Sequence, residues 1–319
     1  MKNLFFVVWL LILSIPSNAQ RQYFYIEVES QDSTKYEARF GKFRLNSERE
    51  LFRDDDIEFN QEEAIAEIKN VFNQNDEKEK NVFIYIHGMW GHQEWYQRDV
   101  LNAFENDIFT FADNPPIVIS FIWHSGINYW DNVHHALAVG KYFSAFFSEV
   151  INLPEVKVKV LCHSMGNRVF QGIQSQIETD NYPVPLIDEV YMIAADLEEN
   201  IFQENQPLNK IGQLVKSVLI YVHNNDRSLG MSKSINDNKR LGLNGNKSIC
   251  TQDSCLQIID VSIINDNEGF GPALSNHRYF YTSPTVRNDL KLSLAGKENP
   301  DRKTLDHNRR KQLLQLNDN

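Results

Sequence analysis

A serine between a strand pattern and a helix pattern is the first residue of this sequence able to do covalent chemistry. The apolar run Val156 to Leu161 is followed by residues 162–166, Cys-His-Ser-Met-Gly, and then by a helical pattern. Such a turn exposes the serine hydroxyl and directs the helix amino terminus at it, which favours an oxyanion. Strand and helix approach closely there, so small residues are needed; Gly166 is one, and Cys162 is the next size up. We predict Ser164 as a nucleophile, although a serine that only caps a helix has the same local pattern.

A second turn that fits this chemistry lies upstream, after the apolar run Val82 to Ile86. Residues 87–91 read His-Gly-Met-Trp-Gly. In sites built around such a serine, two backbone N–H groups bind the oxyanion: one from the residue after the nucleophile, the other from a loop in this position. Met165 and Met89 are therefore the predicted donors, and Gly88 is the glycine of a rigid, close-lying loop. The alternative is a plain turn.

An acid and a histidine should follow the serine, in that order, if it is activated by proton transfer. Asp196 and Asp226 each stand just past a predicted strand. Asp226 follows the next-to-last strand and is the preferred acid; Asp196 is either a helix cap or the acid of a variant arrangement. His277 is the predicted base, because the glycine-bearing loop before it is placed to reach back over the site. His307 lies in a charged tail and is interpreted as solvated.

The remaining histidines and cysteines predict no cofactor and no metal. No spacing resembles a zinc site, and His87, His163, His134 and His135 are assigned packing or surface roles. Cys162 lies inside a strand end, where a small buried thiol is a better interpretation than a nucleophile.

Short apolar runs alternate with longer helical stretches from residue 81 onward, which is typical of strands buried on both faces of a parallel sheet with right-handed crossovers. Ala136 to Val150 is the clearest crossover helix. Ligands bind beyond the carboxyl ends of such strands, where the candidate residues stand. The predicted strands are Val82 to Ile86, Ile117 to Trp123, Val156 to Leu161, Glu189 to Ala194, Val218 to Val222 and Leu256 to Val261.

The region before residue 81 has a different pattern. Tyr23 to Glu29 and Tyr36 to Phe43 alternate apolar and polar residues, and together predict an antiparallel edge. Asn60 then precedes a helical stripe with an acidic first turn. The predicted fold class is α/β, with a mostly parallel central sheet, helices on both faces and an antiparallel N-terminal edge.

The chain begins with a pattern typical of a secretory signal peptide, predicted over residues 1–19. Lys2 precedes an apolar stretch from Leu4 to Ile15, and the small residues 17–19 form a cleavage site. An uncleaved anchor is the alternative; export, with no stable membrane span after cleavage, is the prediction. Residues 20–295 are predicted as one domain and 296–319 as a charged tail, either a solvated helix or a frayed end.

Charge and cysteine content limit the partners. The net charge of -11 argues against nucleic acid and against a polyanionic substrate. Cys250 and Cys255 stand close together in a polar loop, where a disulfide and two thiols are equally compatible with the sequence. The sequence leaves the oligomeric state open.

The sequence resembles the α/β-hydrolase superfamily, and within it a bacterial group of uncharacterised α/β hydrolases, the domain of unknown function 900 family. The resemblance spans roughly residues 82–281 and is most specific at His-Ser-Met-Gly-Asn, 163–167. It implies Ser164, Asp226 and His277 as a triad. Two departures near the expected entrance leave the substrate open: His124 stands where many relatives have proline, and the polar insertion Ser232 to Ser254 is long. The other matching segments are Tyr85 to Gly88, Phe121 to Ser125, Ala194 to Asp196 and Asn225 to Leu229.

The function predicted from these features is hydrolysis of a small carboxylic ester, as by a carboxylesterase or lipase-like enzyme, through an acyl-enzyme. Two alternatives remain open: a non-catalytic binding protein that kept the fold, and an acyltransferase or amidase using the same residues. The aromatic residues near the strand ends fit an apolar acyl or aryl pocket equally as well as ordinary packing. They are Trp90, Trp95, Tyr96, Trp123 and Trp130.

Overall fold

A central sheet of eleven strands organises the part of the chain that this computed structural model describes, namely residues 21–30, 35–46, 50–74, 80–111, 116–177, 185–245, 255–267, 272–304 and 313–317. The strands are β1 Tyr23–Ser30, β2 Tyr36–Leu45, β3 Leu51–Phe59, β4 Lys80–Ile86, β5 Ile117–Trp123, β6 Val156–His163, β7 Ile187–Ile193, β8 Val215–Val222, β9 Leu256–Asp260, β10 Arg302–Thr304 and β11 Leu313–Leu316.

Helices connect most of these strands. They are α1 Gln61–Gln74, α2 Glu94–Ala103, α3 Tyr129–Ile151, α4 Gly166–Gln174, α5 Ile211–Leu214, α6 Arg227–Asn236, α7 Leu241–Asn244, α8 Pro272–Thr282 and α9 Pro284–Leu294, with a short π-helical and 3-10 segment, Phe104–Ile108 and Phe109–Phe111, after α2. The predicted cap of α1 is present: Asn60 Oδ1 accepts from the Glu63 N–H at 3.0 Å, and Glu63 accepts in return from the Asn60 N–H at 2.9 Å.

The strand order is β10-β11-β9-β8-β7-β6-β4-β5-β1-β2-β3. The eight strands from β11 to β1 in this order pair in parallel, whereas β2, β3 and β10 add antiparallel edges. The carboxyl ends of β4, β6, β7 and β8 are therefore neighbours at one edge of the sheet. The predicted α/β class and antiparallel N-terminal edge are confirmed.

Each face of the sheet carries its own apolar core. On one face, α1, α3 and α4 cover side chains such as Ile84 and Val160. On the other, α2, α8 and α9 cover side chains such as Tyr85 and Leu161. The alternation within each strand explains why both faces are apolar and why the runs look continuous in the sequence. This double burial makes the sheet a rigid support for loops at its edge.

The described part of the charged tail contradicts one prediction. Arg302 lies in β10 and β11 continues the sheet beside β9, so a solvated helix or frayed end is wrong for these residues. Arg302 Nε and one terminal nitrogen bond the two oxygens of buried Asp289 at 2.7 and 2.8 Å, and Tyr221 donates to Asp289 at 2.6 Å. This ion pair joins the tail to Asp289 of α9, which lies outside the tail, and fixes β10 in place.

Several predictions fall outside the described residues. They concern the signal peptide 1–19, Cys250 and therefore its pairing with Cys255, His307, and the glycines of the predicted loop before His277, which are Gly269 and Gly271. Within the described ranges, no helix combines the length and apolar character needed to cross a membrane.

Candidate active site

The turn between β6 and α4 holds Ser164 in an unusual backbone conformation. Its φ is 54°, in the left-handed region that non-glycine residues rarely adopt. The turn is also crowded: a Cβ added to Gly166 would lie 2.4 Å from the Ile86 carbonyl oxygen, and one added to Gly88 would lie 2.7 Å from the Ser164 Cβ. Glycine is therefore required on both sides of the contact, as the sequence predicts.

Ser164, His277 and Asp226 form one hydrogen-bonded chain. His277 Nε2 lies 2.9 Å from Ser164 Oγ, and His277 Nδ1 lies 2.7 Å from Asp226 Oδ2. The Asp226 carboxylate accepts a hydrogen bond from the Nδ1–H of His277. Nε2 is then free to accept a hydrogen bond from the Ser164 hydroxyl. All three side chains are buried. Residues separated by up to 113 positions thus meet in the geometry that activates a hydroxyl.

His277 stands on α8 rather than on a loop, and Asp226 is the N-cap of α6. The second Asp226 oxygen accepts from the Leu229 N–H at 3.0 Å. Both side chains are therefore anchored to helices that follow strand ends, which limits their motion.

Asp196, the alternative acid, belongs to a different network. Tyr129 donates to its Oδ2 at 2.8 Å, Ser232 donates to its Oδ1, and the Arg240 guanidinium lies 3.7 Å away. Its backbone N–H reaches the Ser164 carbonyl oxygen at 3.2 Å. The carboxylate is 2% exposed, like that of Asp226, but its partners differ. Asp196 therefore lies beside Ser164, but its carboxylate bonds Tyr129 and Ser232 rather than His277.

Two buried arginines extend this second network. Arg168 and Arg240 each donate to Glu198 Oε1 at 3.1 Å. Burial lowers the Arg168 pKa, but the carboxylates of Asp196 and Glu198 more than offset this and hold it above its ordinary value. Burial alone would raise the Glu198 pKa, yet its arginine neighbours hold it below its ordinary value of 4.5. Arg168 and Glu198 are thus stabilised in their charged forms.

The loop after β4 is fixed by His87, to which the sequence assigned only packing. Its Nδ1 lies 2.6 Å from the Gly88 carbonyl oxygen, which can only accept, and its Nε2 lies 3.0 Å from the Trp123 N–H, which can only donate. His87 is therefore neutral, with the proton on Nδ1. Burial lowers its pKa to about 3.

This loop and the elbow leave two backbone donors available. Within the described residues, no hydrogen bond uses the N–H of Met89 or of Met165. The neighbouring Trp90 N–H is occupied by Ser125 Oγ at 2.7 Å. The two N–H groups predicted as oxyanion donors are thus uncommitted.

His163 makes a contact that sequence reasoning missed. Its Nε2 donates to the His277 carbonyl oxygen at 2.8 Å, so its Nδ1 accepts from the Tyr96 hydroxyl at 3.2 Å. Burial, followed by the nearby His277, lowers the His163 pKa well below 6.5. The side chain is 3% exposed. A neutral histidine next to Ser164 therefore holds the backbone that carries His277; its position beside the serine was the only sequence signal.

Most of the chain matches the profile of a known protein family. The profile described as "Alpha/beta hydrolase of unknown function (DUF900)" matches residues 63–294. The chain belongs to this family. The resemblance and the α/β-hydrolase fold predicted from the sequence are confirmed, and with them the general assignment as a hydrolase.

Among curated proteins there is no match. Among solved structures, this hydrolase is similar to one from Lactobacillus plantarum WCFS1 described as a candidate cell surface hydrolase, at 14% identity and a TM-score of 0.42 over 70% of this chain and 95% of the other.

A cavity of about 300 Å³ opens at the serine of this α/β hydrolase. Ser164 and His277 lie in its wall beside the polar group of Tyr129, Asp196 and Ser232. The remaining wall is mostly apolar: Met89, Trp90, Ile127, Met165, Leu229, Met231 and Ile235. A substrate with an apolar part fits this composition.

His124, one departure from the family pattern, meets two glutamates of β1. Its Nε2 lies 2.8 Å from Glu27 and 3.7 Å from Glu29, and one ligand-type atom from each of the three residues lies within 4.8 Å of the others. Arg53, however, already binds both Glu27 oxygens, at 2.8 and 3.1 Å. Burial opposes ionisation of Glu27, but the hydrogen bonds from His124 and Arg53 lower its pKa to about 2. The group is charge-paired, and the absence of a metal stays a prediction.

Proposed function

We propose that this protein is a serine hydrolase that cleaves carboxylic esters through an acyl-enzyme. The observation that carries the proposal is the hydrogen-bonded chain from Ser164 Oγ through His277 to Asp226. A serine hydroxyl is a weak nucleophile until an adjacent base takes its proton. The neutral imidazole is oriented to do this, because its other nitrogen is held by a buried carboxylate.

The proposed reaction has two stages. In the first, His277 takes the Ser164 proton as Oγ attacks the ester carbonyl, and then returns that proton to the leaving alcohol. In the second, His277 takes a proton from water, whose oxygen attacks the acyl group; the proton passes to Oγ as the acid leaves. Asp226 holds the imidazole and stabilises its charged form.

The backbone N–H groups of Met89 and Met165 are the proposed oxyanion donors. They are not used by other described residues, and α4 directs its amino terminus at the same place. One such donor contributes about 3 kcal/mol of transition-state stabilisation. His87 and Ser125 support this assignment, because they fix the loop through its neighbouring groups.

A fluorophosphonate probe tests the nucleophile. We expect the folded protein to be labelled and Ser164→Ala to be unlabelled. Ser228→Ala removes another serine of the same cavity wall and is the matched control, expected to label like the parent. Labelling that survives Ser164→Ala would show that another residue is the reactive nucleophile, and no labelling of the folded parent would favour a non-catalytic binding protein.

The type of bond cleaved is tested with matched esters, amides and thioesters of graded acyl length. Ester hydrolysis with the highest kcat/KM supports the proposal. Faster amide cleavage, or acyl transfer to an added alcohol in preference to water, would move the protein to the amidase or acyltransferase class.

We also propose that the protein is exported after removal of residues 1–19. The support is the arrangement of Lys2, the apolar stretch and the small residues before Gln20. Amino-terminal sequencing of the extracytoplasmic protein should begin at Gln20. An intact terminus in the membrane fraction would indicate an anchor instead.

A further inference from the structure

We propose that the mouth of the cavity binds the surface of an anionic lipid assembly and takes its ester from there. The surface is formed by four side chains of the cavity wall, called here the apolar rim: Trp90, Ile127, Met231 and Ile235. The binding part of this inference stands on the rim itself; delivery of an ester rests on the proposed function.

The four rim side chains are large, apolar and highly exposed. Folded proteins rarely expose a group of such side chains in one place. Trp90 is 50% exposed, Ile127 93%, Met231 68% and Ile235 46%. Nine large apolar side chains of the described residues are more than 40% exposed, and four of them line this one cavity. Scattered exposed apolar residues are ordinary, but a contiguous group marks a site of contact with a partner or membrane.

Two more exposed tryptophans adjoin the rim. Trp95 packs edge-on against Tyr96, with ring centroids 5.9 Å apart, and Trp130 packs likewise against Tyr129 at 5.6 Å. Both tyrosines line the cavity. Trp90 thus lines the cavity itself, and two more partly exposed indoles contact residues of its wall. Indole rings favour the boundary between water and lipid, because one part is apolar and the N–H remains hydrogen-bonded.

The charge around the rim differs from that of the whole chain. Helix α6, which supplies Met231 and Ile235, carries exposed Arg227 and Lys233 and no acidic residue. Arg278 lines the same cavity and stacks on Trp95 at 5.7 Å. The chain as a whole has a net charge of -11. Basic residues near an anionic membrane strengthen binding, so these three side chains favour contact with an anionic surface.

A lipid surface explains the position of the rim better than a protein partner or a second copy. A protein seated on these side chains would cover the opening of the cavity at Ser164. A lipid surface buries the same side chains and places acyl esters directly at that opening. Ile127, Met231 and Trp90 also project from three separate segments, which suits shallow insertion into a fluid layer.

Vesicle flotation with the full chain tests the proposal. All variants carry Ser164→Ala so that the lipid is not degraded, and vesicles contain phosphatidylcholine alone or with phosphatidylglycerol. Ile127→Asp and Met231→Asp place a charge on the rim without burying it. We expect each to weaken partitioning at least tenfold, and phosphatidylglycerol to strengthen binding of the parent.

The matched control is Ile263→Asp. Ile263 is 45% exposed but does not line the cavity, so its partitioning should stay within twofold of the parent. The comparison is made within one chain, so any membrane affinity of residues 1–19 is common to all variants. Brominated lipid should quench fluorescence of the parent more than that of Trp90→Phe.

Three results would overturn the proposal: equal binding by rim and control variants, no effect of phosphatidylglycerol, or a rim variant that changes the molar mass in light scattering while binding vesicles normally. The last would identify a second copy as the occupant. Rim-dependent vesicle binding without ester hydrolysis in the Ser164-containing chain would support the lipid surface and refute the proposed reaction, so the two failures are distinguishable.

Discussion

Asp226 and Asp196 occupy equivalent places in the chain and different places in the site. Each stands just past a parallel strand, β8 or β7, and each is 2% exposed. Asp226 bonds His277 and caps α6, whereas Asp196 bonds Tyr129 and Ser232 beside two buried arginines. A position just past a strand end therefore identifies candidates for the acid. The hydrogen bond to His277 distinguishes between the two.

The difference also separates two kinds of buried carboxylate. In the proposed reaction the histidine beside Asp226 gains and loses a proton, so the geometry of this region would serve catalysis. The region of Asp196 pairs carboxylates with two buried arginines, so we expect its geometry to serve stability and the shape of the cavity wall. Four predictions follow this division, from the largest free energy to the smallest.

Asp226→Asn should reduce kcat by about 10⁴-fold, because asparagine favours the wrong histidine tautomer while leaving the geometry intact. Asparagine is also a good N-cap, so the melting temperature should change little. Asp196→Asn, assayed with the same ester, should reduce kcat by less than about tenfold. If the two values were exchanged, Asp196 would be the acid and the comparison would be reversed.

Asp196→Ala should lower the free energy of unfolding by about 3 kcal/mol, because it leaves the charge of two buried arginines only partly compensated by Glu198. Denaturant titration measures the change. Ser232→Ala removes the hydroxyl that bonds Asp196, Tyr129 and Asn236 but removes no charge, and should cost about 1 kcal/mol. Equal losses would show that the charge of Asp196 is unimportant.

His163→Phe should reduce kcat by about 10- to 100-fold, because displacement of a catalytic group by about 1 Å has effects of this size. The reason is the lost bond to the His277 carbonyl oxygen. His163→Gln keeps an N–H donor and should retain most activity. KM should change less than kcat in both; a change confined to KM would assign His163 to substrate binding instead.

Acidification should weaken the two regions in different ranges. The pKa of His163 in the folded protein lies well below 6.5, its value in the unfolded chain. Between these two pKa values the unfolded chain binds more protons than the folded protein, so the free energy of unfolding falls as the pH falls. The folded pKa of Glu198 is also depressed, so its contribution is present above 4.5 and is lost as pH falls below it.

Denaturant titrations at a series of pH values check these ranges. His163→Gln should flatten the stability profile just below pH 6.5, and Glu198→Gln only below 4.5. A His163→Gln profile parallel to that of the parent would mean that the folded histidine accepts a proton as readily as the unfolded one.

The central strands and the order of Ser164, Asp226 and His277 could be predicted from the sequence because burial on both faces leaves continuous apolar runs. Ile117–Trp123 agrees to the residue with the run. Strand β3 could not be predicted in this way, because residues 53–56 read Arg-Asp-Asp-Asp and hide the alternation. Its pairing with β2 is set by tertiary context.

The contacts around the site depend on partners far apart in the chain, and this is why the sequence missed them. His163 and the His277 carbonyl are 114 positions apart, and Tyr129 and Ser232 are 103 apart. A histidine beside a serine indicates no partner by itself. Likewise, β10 depends on Asp289, whose importance is visible only when Arg302 and Tyr221 are seen around it.

The positive φ of Ser164 has a consequence for how this chain would change without selection for activity. Relief of such a conformation is worth about 1–3 kcal/mol, and glycine adopts it freely. Even after the greater flexibility of glycine in the unfolded chain is subtracted, Ser164→Gly should be about 1 kcal/mol more stable than Ser164→Ala. Without the proposed reaction, stability alone would therefore favour glycine over alanine at this position.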